Sequence, residues 1–291
     1  MSGTVVGIDS AVAERPEPAV AEAEPRAENP TVVRARKRMP ALPVRPAVPV
    51  EPGTPWIDDP YAHALRSGRG PLFLRRLSQP DHPDSLGEDH VLPLDVERWC
   101  ARPDAADTSV LRRCTGSVLD VGCGPGRMVA ALAARGIPAL GVDLSRDAVK
   151  RTRRSGGAAI QRSAFDRLPG EGRWGTVLLM DGNIGIGGNP VALLRRMREL
   201  VAPGGLLLAE AAPQDVDQRL TVRVEDAHGH HGRPFPWARL GTTALLNAAD
   251  SAGWTPTGRW TCEGRPFAEL RRRRANHPDA QPSNTERPHH S

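Results

Sequence analysis

Residues 119–126 read Leu-Asp-Val-Gly-Cys-Gly-Pro-Gly. An apolar stretch carries an acid, Asp120, and runs into Gly122, Gly124 and Gly126 ahead of a helical pattern. Glycines at this spacing let a ligand approach the backbone closely at a turn, which points to a nucleotide-like molecule. The dinucleotide fingerprint GxGxxG asks for a small residue five positions after its first glycine, and Arg127 stands there, so a nicotinamide dinucleotide is disfavoured. Downstream, Ala139-Leu140-Gly141-Val142 ends in Asp143, where a strand-end carboxylate can accept hydrogen bonds from both hydroxyls of a ribose. Asp181-Gly182-Asn183 opens a run with further glycines at 185, 187 and 188 before Pro190. It suggests a tight cleft wall whose backbone meets a ligand, in which Asp181 and Asn183 either orient that ligand or serve turn hydrogen bonds. His228, His230 and His231 follow Glu225 and Asp226. His230 and His231 are candidate general bases, and His231 a candidate substrate contact, against the alternative of a solvated loop. No metal is expected, since cysteine ligands and regular helical histidine spacing are both missing there. Phe235, Pro236 and Trp237 could line an apolar wall or belong to the core.

These residues need elements to position them. Strands are expected at 117–121, 138–142, 158–162, 175–180, 205–211, 256–262 and 265–271. Helices are expected at 126–135, 146–155, 190–201 and near 239–252. The alternation defines an α/β, doubly wound, mostly parallel seven-stranded sheet with helices on both faces. Residues 116–271 form that domain. Residues 56–115, with Tyr61, Leu65, Leu72, Leu74 and Leu77 broken by Gly68 and Gly70, read as a helical cap. Residues 1–55, with Pro40, Pro43, Pro46, Pro49, Pro52 and Pro55, read as a disordered proline-rich arm, and 272–291 as a disordered tail.

The 291 residues suit one catalytic core plus tails, with 39% apolar and 4% aromatic residues and 29 each of glycine and proline. The net charge of +5 is spread thinly and the aromatics are scattered along the chain. A nucleic-acid partner is therefore disfavoured, and a small-molecule ligand is favoured. Cys100, Cys114, Cys123 and Cys262 lack metal-ligand spacing and are read as reduced thiols. No run approaches the ~20 apolar residues of a membrane helix, so a soluble cytoplasmic protein without a membrane partner is expected. Nothing in the sequence sets an oligomeric state.

The acid followed by xGxGxG resembles the first motif of class I S-adenosylmethionine-dependent methyltransferases, and Asp143 resembles the second landmark of that family. Val201-Ala202-Pro203-Gly204-Gly205-Leu206 is similar to the turn into its fifth strand. The resemblance spans about residues 94–270 and implies a Rossmann-like methyltransferase fold with S-adenosyl-L-methionine as cofactor. Asp120, Gly122, Gly124 and Gly126 would then cradle the methionine end, and Asp143 with Leu144 would hold the ribose. Asp181 would lie beside the transferable methyl and Asn183 beside the acceptor. The family often sets an adenine-binding Asp four residues before a Leu-Pro pair. Before Leu168-Pro169 that position is Ala164, so Asp166 either reaches adenine, with Phe165 beside it, or caps the loop. The signature for methylating base amines and amides, Asn or Asp then Pro-Pro and an aromatic, is absent. The implied activity is methyl transfer to a small acceptor; the alternatives are a non-catalytic cofactor-binding protein or an RNA or protein methyltransferase.

Overall fold

The computed structural model describes Trp56 and residues 60–77 and 91–273. The expected arm at 1–55 lies outside these residues, as does the expected tail at 272–291 except for Arg272, which ends a strand, and Arg273 beside it.

Along the chain the strands are β1 Leu72–Arg76, β2 Val91–Leu94, β3 Val118–Val121, β4 Ala139–Asp143, β5 Ala159–Gln161, β6 Trp174–Leu179, β7 Val201–Glu210, β8 Asp217–Asp226, β9 Phe235–Leu240, β10 Trp254–Cys262 and β11 Arg265–Arg272. The helices are α1 Pro60–Ser67, α2 Val96–Cys100, α3 Ala105–Leu111, α4 Arg127–Ala134, α5 Arg146–Arg154, α6 Pro190–Leu200 and α7 Thr242–Ser251. Seven strands form one sheet in the order β10-β11-β7-β6-β3-β4-β5. Pairs from β7 to β5 are parallel, while β11 pairs antiparallel with β7 and β10. This is the doubly wound, mostly parallel sheet with helices on both faces read from the sequence.

Its strands are apolar on both sides because both sides are covered. Leu119, Val121, Val177, Leu179, Leu207 and Ala209 pack with α6 and α7 residues such as Leu193, Met197 and Leu245. The residues between them, including Val118, Leu178 and Leu208, pack with Ala106, Val110, Met128 and Leu132 of α3 and α4. The chain winds from β3 outward through β4 to β5, then crosses back to β6 and β7. The carboxyl ends of β3 and β6 therefore flank the topological switch point, the place where open α/β sheets hold ligands.

A second, antiparallel sheet, β2-β1-β8-β9, was not legible as such. Residues 56–115, expected to be helical throughout, contain α1, α2 and α3 but also β1 and β2. Leu72 and Leu74 are buried at a spacing of two, as one face of a strand requires, and were misread as helical apolar residues. Their partner is remote: Leu72 lies opposite Asp226 and Leu74 opposite Val224. The helix expected near 239–252 begins only at Thr242, because β9 runs through Leu240 and pairs with Asp217 there. Leu65, Leu72, Leu74, Val222, Val224 and Phe235 form the core of this second layer.

Candidate active site

The glycine turn leaves β3 at Val121 and enters α4 at Arg127. Gly124, at φ 52°, faces the void: a Cβ there would meet only the Tyr61 hydroxyl, at 3.4 Å. The other two glycines have structural neighbours. A Cβ on Gly122 would strike the Asn183 amide at 2.5 Å, and one on Gly126 the Thr152 side chain at 2.4 Å. Asn183 donates from Nδ2 to the carbonyls of Val121 and Gly122, at 3.0 and 2.9 Å, and Thr152 donates its hydroxyl to the Gly124 carbonyl at 3.0 Å. The turn is thus pinned from both sides, with one glycine left open to a ligand.

Asp143 ends β4 and is buried. Its two oxygens accept the Gly124 and Ser145 amides, each at 2.8 Å. Burial pushes its pKa up to about 6, against these backbone hydrogen bonds, which pull it down. Asp120 lies under the turn, 2% exposed, and burial pushes it to about 7 while Arg127 opposes the rise. Asp143, whose role was expected to be ligand contact alone, therefore also scaffolds the turn. Leu144 lines the void, and its carbonyl accepts Gln161 Nε2 at 3.0 Å. Phe165 is 47% exposed at the rim. Asp166 sits in the loop cap: its Oδ2 accepts the Ser163 amide at 3.0 Å, and it is not among the residues lining the void.

Beneath the turn lies a cluster of charges that sequence reasoning missed. Arg127 donates Nε and Nη2 to Asp107, at 2.6 and 2.9 Å, and Nη1 and Nη2 to Asp181, at 2.7 and 3.0 Å. Arg98 reaches Asp181 at 2.7 Å. Arg265 holds Glu210 through two bonds, at 2.8 and 2.7 Å, and reaches Asp107, Asp104 and Asp181. Glu210 also accepts the Asp181 amide at 2.8 Å. Although burial alone would raise it, the surrounding guanidinium groups bring Asp181 down to about 2. Asp181 thus stays ionised in a low-dielectric site, in a backbone conformation, φ 56°, that non-glycine residues seldom adopt. Arg127, read from the sequence only as a misfit to the dinucleotide fingerprint, is the hub.

The loop after Asp181 was expected to need its glycines for a ligand, and Gly182 and Gly187 do line the void, but β9 lies on the other two: a Cβ on Gly185 would strike the Ala238 carbonyl and one on Gly188 the Pro236 side chain. The histidines are equally displaced from their expected place. His230 and His231 are exposed at the turn joining β8 to β9, and neither is among the residues lining the void. His230 Nδ1 faces Asp226 at 2.9 Å and His231 Nδ1 faces the Gly232 carbonyl at 3.3 Å. Among the described residues no group of three or more potential ligands could hold a metal ion.

Turn, Asp143, Asp181 and second sheet enclose a cavity of about 720 Å³, within the ~300–1,000 Å³ typical of ligand pockets. Its lining includes Gly122, Gly124, Asp143, Leu144, Asp181 and Asn183 together with Trp56, Tyr61, Leu74, Trp99, Phe235 and Trp237. Gly126 and Asp120 lie behind this surface.

Residues 89–255 match a family described as a methyltransferase domain, which is more than half of the chain. The chain belongs to the class I S-adenosylmethionine-dependent methyltransferases. It is similar to the structure of an S-adenosylmethionine-dependent methyltransferase from Bacteroides fragilis in complex with S-adenosyl-L-homocysteine, at 20% identity and a TM-score of 0.61, over 75% of this chain and 97% of that one. A sugar N-methyltransferase from Streptoalloteichus matches at 22% identity and a TM-score of 0.46, over 58% of this chain and 87% of that one. A 1,6-didemethyltoxoflavin-N1-methyltransferase from Burkholderia thailandensis matches at 17% and 0.44, over 58% and 77%. These likenesses concern the fold alone. A search of curated proteins gives no match.

A pH dependence follows from the two raised carboxyls. Their pKa values, about 6 for Asp143 and about 7 for Asp120, lie above that of a free aspartate, so in the ligand-free protein their ionisation opposes folding. The stability that their protonation contributes is present at low pH and is lost as pH rises through 6 to 7. A ligand that donates hydrogen bonds to Asp143 requires the ionised form. Affinity for S-adenosylhomocysteine should therefore fall on acidification from pH 8 to pH 5, approaching about tenfold per pH unit below 6 for that group. Asp143→Asn should flatten the lower part of the curve, as calorimetry across pH would show; an unchanged curve in the variant would remove Asp143 as the titrating contact.

Proposed function

We propose that this chain transfers a methyl group from S-adenosylmethionine to a small-molecule acceptor bound between the glycine turn and the second sheet. The supporting observation is the cavity itself, which joins a glycine turn open at Gly124 and a buried strand-end carboxylate to an apolar wall. These residues fit the cofactor. Asp143 would take the ribose hydroxyls, Gly122 and Gly124 the methionine backbone region, and Phe165 the edge of the adenine. When bound, the cofactor supplies a sulfonium-activated methyl group. What remains for the protein is to hold an acceptor in line and to exclude water. Asn183 fixes the turn through two hydrogen bonds, so we assign it a positioning role in place of the substrate contact expected from its sequence position. We infer a reducing, cytoplasmic setting, which the free thiols of Cys100, Cys114, Cys123 and Cys262 support. Among the described residues no helix is long and apolar enough to cross a membrane.

The assignment is tested first by thermal unfolding. S-adenosylhomocysteine at 100 times its Kd should stabilise the protein by about 2.7 kcal/mol at 25 °C through mass action, whereas NAD at the same concentration should leave the melting temperature unchanged. Stabilisation by NAD and none by S-adenosylhomocysteine would overturn the cofactor. The acceptor class is tested by supplying labelled cofactor with separate metabolite, RNA and protein fractions: label should enter the metabolite fraction. Label in RNA or protein would replace the small-acceptor reading, and tight cofactor binding without label in any fraction would favour a non-catalytic binder.

A further inference from the structure

The chain holds eleven aromatic residues, six Trp, four Phe and one Tyr, and six of them line one cavity: Trp56, Tyr61, Trp99, Phe165, Phe235 and Trp237. Residues that look scattered along the sequence are gathered in space. Trp56 is at the centre of the wall, with ring centroids 4.9 Å from Phe235, 5.0 Å from Tyr61 and 6.0 Å from Trp237. Phe235 lies 6.0 Å from Trp237, and Tyr61 6.3 Å from Trp99. Neighbouring rings are inclined by 54–87°. They pack edge against face into a continuous surface. An aromatic cage for an ammonium group would instead surround a void with ring faces.

The charges in the same cavity point the same way. Asp143 is engaged by two backbone amides, Asp181 by three guanidinium groups, and Glu210 by Arg265 and the Asp181 amide. Among the described lining residues, Asp181 and Glu210 are thus held by Arg98, Arg127 and Arg265, and Asp143, held by backbone amides, is assigned above to the ribose. A cationic acceptor would have to be desolvated without a carboxylate of its own to pair with.

Resting on the methyltransferase reading above, we propose that the acceptor is a flat, uncharged aromatic molecule that packs against the wall formed by Trp56, Tyr61, Trp99, Phe235 and Trp237. Ring-to-ring packing favours an aromatic ligand over a saturated one of the same carbon skeleton, beyond what buried area alone supplies.

The test uses matched probes on the full chain saturated with S-adenosylhomocysteine: 1-naphthol, its saturated counterpart decahydro-1-naphthol, and glucosamine as a cationic, non-aromatic probe. Calorimetry should show naphthol binding about tenfold more tightly than decahydronaphthol, with glucosamine weakest. Trp56→Leu should remove most of the preference for naphthol, since the ring at the centre of the wall is lost. If that variant is poorly folded, Trp237→Leu serves the same purpose. Equal or tighter binding of decahydronaphthol, tighter binding of glucosamine, or no naphthol binding overturns the proposal, as does a preference unchanged in a folded variant. Absence of S-adenosylhomocysteine binding would instead strike the methyltransferase reading; the probe series, run without it, still reads the wall.

Discussion

Replacing Asp143 with alanine is expected to weaken S-adenosylhomocysteine binding by about two to four orders of magnitude, because two charge-assisted hydrogen bonds to a ribose, each worth about 1.5–3 kcal/mol, would be lost. The structure adds a second consequence. Asp143 also accepts the Gly124 and Ser145 amides at 2.8 Å, so the alanine variant loosens the turn as well as removing a ligand contact. Asp143→Asn removes the charge and keeps one oxygen to accept one of the two amides, with its Nδ2 donor facing the other. Fold stability should suffer little in either variant above pH 7, because the lost hydrogen bonds are offset by relief from burying an ionised carboxylate. Calorimetric affinity measured beside melting temperature would show a large change in the first and a small one in the second. Parent-like affinity in Asp143→Ala would remove the ribose contact and the placement of the cofactor that depends on it.

The other large effect concerns Arg127. Its side chain is 4% exposed and bonded to Asp107, which is fully buried, and to Asp181, 13% exposed. Arg127→Met would fill much of the volume but leave these acids with fewer counter-charges. Removing one partner of a buried ion pair costs about 3–5 kcal/mol, so denaturant unfolding should show a loss of that order. Arg265 also reaches Asp107, at 3.1 Å, and this places the expected loss toward the lower end. Adding Asp107→Asn to Arg127→Met should recover part of the loss, as it removes an uncompensated charge from the interior. A single variant as stable as the parent, or a double variant whose cost is the plain sum of the two singles, would show that the cluster does not work as a unit.

How far the sequence could be read follows from the range over which each feature is encoded. The glycine turn, Asp143 and the alternation of apolar segments are local: strand period, turn chemistry and the acid at a strand end fall within a few consecutive residues. They sufficed for the doubly wound sheet and for the family. The second sheet had a usable signal in Leu220, Val222 and Val224 and in Phe235 and Trp237, all buried at a spacing of two. No strand is expected there from the sequence, because besides its hairpin with β9 the partner of β8 is β1, some 150 residues earlier, and no local pattern announces such a pairing.

The site divides along the same line. Local spacing determined the turn that faces the cofactor and the acid beside it. Only the tertiary structure decided the rest. Arg98, Asp107, Arg127, Asp181, Glu210 and Arg265 come from separate elements and meet because β3, β6, β7 and β11 adjoin in one sheet, with α2, α3 and α4 placed around their ends. Asn183 was assigned to the substrate, yet its amide is taken up by the carbonyls of Val121 and Gly122. The glycines at 185 and 188 were assigned to a ligand, yet β9 occupies the space beside them. His230 and His231 look chemically apt in sequence and are carried away from the cavity on the β8–β9 turn. The five aromatics Trp56, Tyr61, Trp99, Phe235 and Trp237, scattered along the chain, become one surface only when β1, β8 and β9 close over the carboxyl end of the larger sheet. A residue's type sets what chemistry it can do; which groups it does that chemistry with is set by contacts between elements far apart in the chain, where desolvation and shape decide and sequence spacing carries no information.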